Sequence, residues 1–153
     1  MAQMRVLLAD DHTLFRQGVR TLIAGESDME VVAEAANGAE AADRAEHTRP
    51  DLVLMDIRMP GLSSFEATRQ ITHATPEVKV LVITVFQHLI PKAREAGATA
   101  AIEKGFSKDD LVNLIRHVHR TQQFTVARFG DDVANTLGLP PQEALTPREE
   151  QVL

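Results

Sequence analysis

Three carboxylates and a lysine stand where aliphatic runs end: Asp10 and Asp11 after Val6-Leu7-Leu8-Ala9, Asp56 after Leu52-Val53-Leu54-Met55, and Lys104 after Ala100-Ala101-Ile102. Acids gathered at neighbouring strand ends cannot all stay ionised without a bound cation, and Asp56 is the expected centre of the chemistry. Taken singly, each acid has a plainer use, because an aspartate after a strand commonly caps the helix that follows. Their joint placement is what points to a site.

The elements that must position these residues alternate short apolar runs with helical periodicity. Strands are expected over residues 4–9, 29–35, 51–55, 78–84 and 99–103, several of them continuously apolar, as strands covered on both faces are. Between them, Phe15, Val19, Leu22 and Ile23 recur at i, i+4, i+7, i+8, and Leu111, Leu114, Ile115 and Val118 at i, i+3, i+4, i+7, which makes two one-sided helices. Ser63 with Glu66, Ser107 with Asp110, and Thr146 with Pro147 and Glu149 have the residue types that cap helix N-termini. Asn37-Gly38 reads as a turn into a helix whose apolar residues are Ala39, Ala42 and Ala45, with Pro50 closing it, and Pro91 is placed to open a fourth helix. Five strand-helix units imply a doubly wound α/β fold, a five-stranded parallel sheet with helices on both faces. Ligands of such sheets bind beyond the carboxyl ends of the strands, where strand order reverses. Asp10, Asp11, Asp56, Thr84 and Lys104 all fall at that end.

Composition narrows the class. The 153 residues are 44% hydrophobic, 25% charged and only 4% aromatic, with no Trp or Tyr, so one largely aliphatic core with a short tail is expected. Cysteine is absent, which excludes disulfides, thiolate nucleophiles and cysteine-ligated metals. The longest apolar stretch, residues 80–86, is far below the ~18 residues of a membrane span, so the expectation is a cytoplasmic protein with no membrane partner. A formal charge of −6 opposes nonspecific attraction to DNA phosphates. The histidines are scattered, and His117 and His119, two apart on a helix, point in different directions, so no histidine metal site is read. Met55 and Met59 read as packing residues.

Leu8-Ala9-Asp10-Asp11-His12, the run from Asp51 to Gly61 that contains Met55-Asp56-Ile57-Arg58-Met59-Pro60-Gly61, Val82-Ile83-Thr84 and Glu103-Lys104-Gly105 together resemble the receiver domain of bacterial two-component response regulators. The ordered set spans residues 4–120 and is specific, where a lone acidic pair would be weak. The resemblance implies a flavodoxin-like sheet of order 2-1-3-4-5 and a phosphorylated signalling switch rather than an enzyme. It implies Asp56 as the phosphoacceptor, taking a phosphoryl group from a sensor histidine kinase or a small phosphodonor. Mg²⁺ would be held directly by Asp11 and Asp56, through water by Asp10, and by the main-chain carbonyl of Arg58. Lys104 would pair with one phosphoryl oxygen and Thr84 would donate a hydrogen bond to another. The Arg58 side chain reads as a solvated loop group that tunes access of water to the acyl phosphate.

Three features depart from the family pattern. Ala101 stands where receivers usually carry Tyr or Phe three residues before the lysine, the segment between Thr84 and Gly97-Ala98 is about two residues short, and Ser64 replaces a frequent Gly. The site is therefore expected to be complete, with switching routed through other elements, the first and fifth helices. Receivers dimerise on phosphorylation, and the same is expected here.

Past Arg120 the texture changes. Residues 121–144, with Gly130, Gly138 and Pro140-Pro141, read as a linker holding one short helix near 131–137, and residues 145–153 resemble the opening of the helix-turn-helix output domain of NarL/LuxR-type transcriptional regulators. The chain reads as a transcription-regulating response regulator cut off before its recognition helix, with DNA reached only through the missing part. Two alternatives stand beside this reading. One is a pseudo-receiver, an interaction module that does not use phosphate; the other is a hydrolase of the haloacid dehalogenase kind, whose nucleophile typically sits in an Asp-x-Asp pattern after the first strand.

Overall fold

Strands form where side chains of both parities are apolar. In the computed structural model, which describes residues 3–59, 63–103 and 105–127, the order is β1 (Met4–Ala9), α1 (Thr13–Ala24), β2 (Met29–Ala35), α2 (Gly38–Thr48), β3 (Leu52–Asp56), α3 (Ser64–Ala74), β4 (Lys79–Thr84), α4 (Ile90–Glu95), β5 (Ala100–Glu103), α5 (Lys108–Arg120) and β6 (Thr125–Ala127). A 3-10 turn, Gln87–Leu89, leads into α4. All ladders are parallel and the sheet order is β2-β1-β3-β4-β5-β6. The sheet thus has six strands rather than five, because the chain after α5 returns to pair Thr125 with Ala100, Val126 with Ala101 and Ala127 with Ile102. That strand lies in residues read from sequence as linker.

The period of two along each strand divides the core between the two faces. Val6, Leu8, Leu52, Leu54, Leu81, Ile83 and Ile102 face α1 and α5; Leu7, Ala9, Val53, Met55, Val80, Val82 and Ala101 face α2, α3 and α4. The α5 stripe of Leu111, Leu114, Ile115 and Val118 is fully buried, and on α1 Val19 and Ile23 are buried with Phe15 and Leu22 at the margin. The α2 stripe differs from the expected one. Ala41 and Ala45 are buried while Ala39 is exposed, because Asn37 accepts a hydrogen bond from the Glu40 N–H and so fixes the phase of the helix. Arg49, left-handed at φ 49°, ends α2 ahead of Pro50. Ser63 and Ser107 cap α3 and α5 by accepting from the N–H groups of Glu66 and Asp110. Among the described residues no helix is long and apolar enough to cross a membrane.

Two cations tie α5 into place. Lys79 donates from Nζ to the carbonyls of His119 (2.9 Å) and Thr121 (2.7 Å), supplying donors to the helix's exposed C-terminal oxygens. Arg116 reaches Glu26 at 2.6 Å and Asp28 at 2.8 Å, joining α5 to the turn between α1 and β2. Arg116, hydrogen-bonded to the Asp28 carboxylate, holds it below the ordinary carboxylate range. A depressed folded-state value means stabilisation that is complete above the unfolded value and is lost as pH falls through the folded one. Arg116→Ala is expected to cost roughly 1 kcal/mol near neutral pH, these groups being partly exposed, with the gap from the parent shrinking below about pH 4. Urea denaturation across that range checks it; a gap independent of pH would count against the ion pair.

Candidate functional site

The ladder between β1 and β3 ends at Ala9 opposite Met55, so the next residues, Asp10 and Asp56, come side by side at its end. Asp11 follows Asp10, and one oxygen from each of the three carboxylates lies within 4.8 Å of the others. Asp10 and Asp56 are buried and Asp11 is exposed, which makes an acidic recess with one open wall. Asp10 splits the work of its two oxygens. Oδ1 accepts the His12 N–H at 2.7 Å and shapes the turn into α1; Oδ2 is buried with no hydrogen-bond partner among the described residues. A buried carboxylate oxygen without a donor is costly. With two more carboxylates beside it, the natural partner is a cation, and an all-oxygen donor set suits a hard divalent ion.

The adjoining strand brings Thr84. Asp56 pairs with Ile83, and the Ile57 N–H donates to the Ile83 carbonyl at 3.1 Å, so Thr84 ends β4 one residue further on. Its buried hydroxyl accepts the Phe86 N–H at 2.8 Å and reaches the Phe86 carbonyl at 3.5 Å. Lys104 lies outside the described residues; its neighbour Glu103 pairs with Thr84, and Gly105 takes φ 112°, a conformation that disfavours any residue with a Cβ.

Arg58, in the loop after β3, has an exposed side chain, but it is not simply solvated: its guanidinium carbon sits 5.6 Å from the centre of the Phe86 ring. Ser64 also has a definite task. Its hydroxyl donates to the main-chain carbonyl of Asp56 at 2.5 Å, tying the start of α3 to the central acid. Ala101 is wholly buried against the α4 side of the sheet, in the cluster that contains Ile90 and Ala93 and against which Phe124 and Val126 pack. Sequence reasoning missed Phe86, whose contacts join two loops far apart in the chain, and Arg16, which donates to the Asp10 carbonyl at 2.5 Å and pairs with Glu34 at 3.0 Å. The only signal for Arg16 was its place on the first turn of a helix that begins beside the acids.

A family model, the response regulator receiver domain, matches residues 6–116. The chain belongs to that family. This receiver is 39% identical over 118 residues to the transcriptional regulatory protein LnrK of Bacillus subtilis, covering 76% of this chain and 54% of LnrK. It is 34% identical over 157 residues to the response regulator UvrY of Escherichia coli, covering 98% of this chain and 72% of UvrY. A crystal structure of a LuxR-family two-component response regulator from an Aurantimonas species superposes with a TM-score of 0.76 at 32% identity, covering 99% of this chain and all of that one. The receiver therefore spans about half the length of LnrK. Receiver domains are signalling switches rather than classical enzymes, and they take Mg²⁺ in an acidic pocket; the Asp10, Asp11 and Asp56 group could hold it. Neither the pseudo-receiver nor the hydrolase alternative is favoured.

The short hydrogen bond from Ser64 makes a direct forecast. Ser64→Ala removes the donor to the Asp56 carbonyl in a buried setting and is expected to lower stability by roughly 1–2 kcal/mol in chemical denaturation, with Ser64→Thr closer to the parent. Equal stability of Ser64→Ala and parent would show that this bond does not hold the loop.

Proposed function

We propose that Asp56 is the phosphoacceptor of a two-component switch whose phosphorylation controls a transcriptional output. The observation that carries this reading is the meeting of three carboxylates within 4.8 Å at the switch point of the sheet, with the buried Asp10 Oδ2 unpartnered among the described residues. Asp11 and Asp56 would ligate Mg²⁺ directly, Asp10 through water, and the Arg58 carbonyl would complete the protein's share. Bound Mg²⁺ would neutralise charge that builds on the phosphoryl oxygens.

The chain's own residues do the rest. A carboxylate oxygen of Asp56 attacks the phosphorus of a phosphohistidine on the sensor kinase; the new O–P bond forms as the N–P bond breaks, and the imidazole leaves with the electron pair and takes up a proton. Burial of Asp56 and Asp10 limits water around the reacting oxygen, which serves a switch that must hold its mark. Thr84, one strand away, offers its hydroxyl proton to a phosphoryl oxygen, and Lys104 pairs with another. The acyl phosphate carries roughly two negative charges where the carboxylate carried one. Residues 145–153 are read as the start of a helix-turn-helix output domain, so phosphorylation would promote dimerisation and DNA binding through a domain of that kind. Those residues and the predicted linker helix near 131–137 lie outside the described residues.

The test is intact mass measurement after incubation with Mg²⁺ and a small acyl phosphate. One phosphoryl adduct is expected on the parent, none on Asp56→Asn, and none when the divalent ion is chelated. An Asp11→Asn variant is expected to need at least about tenfold more Mg²⁺ for the same rate, since it loses one direct ligand. An adduct that persists on Asp56→Asn would move the phosphoacceptor elsewhere.

A further inference from the structure

The last strand has a place that links it to the acidic recess. Phe124 and Val126 pack on the apolar cluster formed by Ile90, Ala93, Ala98 and Ala101, and the Arg94 guanidinium carbon lies 5.2 Å from the centre of the Phe124 ring. Val126 sits opposite Ala101, whose small side chain lets β6 close against the same face. On its other side α4 is held by Lys92, with Nζ 5.6 Å from the centre of the Phe65 ring at the start of α3, one residue after Ser64. With 6 residues, α4 is the shortest described α-helix, and its cations reach Phe65 of α3 on one side and Phe124, just ahead of β6, on the other.

What anchors the loop before α4 is equally specific. Phe86 is held by the Thr84 hydroxyl, through both its N–H and its carbonyl, and is covered by the Arg58 guanidinium. Both are groups for which a phosphoryl group on Asp56 would compete: the hydroxyl proton would turn from the weak 3.5 Å contact with the Phe86 carbonyl, and the guanidinium would be drawn from a ring face to an anion. Loss of the carbonyl contact and of the cation over the ring would leave Phe86 held by its N–H alone, loosening the turn Gln87–Leu89 that leads into α4. β6 is a three-residue edge strand, the kind of element that opens locally at low cost.

We infer that Phe124–Ala127 is a strap on α4 that releases when Asp56 carries phosphate, passing the state of the site to the chain that follows Ala127. The inference rests on Asp56 being the phosphoacceptor. It offers a route other than the first and fifth helices, and it makes β6 part of the switch instead of a passive spacer. Because coupling is reciprocal, loosening the strap must also favour occupation of the site.

The experiment is amide hydrogen exchange on the 153-residue chain with Mg²⁺, with and without beryllofluoride as the phosphoryl mimic, alongside a binding titration. Exchange in a peptide spanning 122–127 is expected to rise about tenfold on beryllofluoride binding. Arg94→Gln and Phe124→Ala are each expected to show raised exchange there without ligand and to bind beryllofluoride about tenfold more tightly, while Arg94→Lys, which keeps a cation over the ring, stays near the parent. Binding by the parent with unchanged exchange at 122–127, or with changes confined to α1 and α5, overturns the strap and leaves the phosphoacceptor reading intact. Failure of the parent to bind beryllofluoride overturns both.

Discussion

The pairing of β1 with β3 is the constraint on which everything else depends. These strands are separated by α1, β2 and α2, yet they hydrogen-bond in register from Val6 opposite Leu52 to Ala9 opposite Met55. Two carboxylates are thereby delivered to one spot by the backbone ladder, whatever their mutual repulsion. Within 4.8 Å and at an effective dielectric near 20, repulsion between ionised Asp10 and Asp56 is at least about 3 kcal/mol. Each buried Val, Leu or Met side chain along the two strands contributes about 1.5–3 kcal/mol, and seven of them, Val6 to Leu8 and Leu52 to Met55, are buried. The sheet wins, and the acids are left in a state that a cation relieves.

From that point outward, each contact leads to a different element. Ser64 ties the Asp56 carbonyl to α3, and Phe65 beside it meets Lys92 of α4. Thr84 and Arg58 converge on Phe86, which leads through a single turn into the same helix. On the opposite face Arg16 grips the Asp10 carbonyl and Glu34, fixing α1 against β2. The α1 side is thus pinned by ion pairs and by the fully buried α5 stripe, while the α4 side is joined by cation-ring contacts and a short helix. The two faces are thus held by different kinds of contact, and the threonine loop leads into the one joined by cations over rings.

How much of this was legible in the sequence follows from the range of each interaction. β1 and β2 could be bounded to the residue because turn and polar residues flank runs rich in aliphatic side chains, and caps at Ser63 and Ser107 could be placed because a cap is a contact over three residues. The acidic recess was legible because parallel topology sends every strand's carboxyl end to one side. The buried stripe of α2 was not, since alanines on every face leave the phase to Asn37. Nor was β6: Thr125, Val126 and Ala127 are too few for a periodic signal, and their pairing partner lies across a whole helix. Phe86 and Arg58 meet only because β3 and β4 are neighbours, and nothing in their local sequence says so.

Ala101 shows why a residue read as a loss can be a fit. In sequence it stands as a small side chain where a large one is expected, and the inference drawn is a missing connection. In the fold Ala101 is fully buried and Val126 lies across the ladder from it. Bulk absent from β5 is supplied by Phe124 and Val126, which reach the same cluster from a later part of the chain. A large side chain at position 101 and an apolar β6 would contend for one volume, and close packing does not accommodate both. A small residue at 101 is thus compatible with an apolar strand beside it, and Phe124, just ahead of that strand, meets Arg94 of α4.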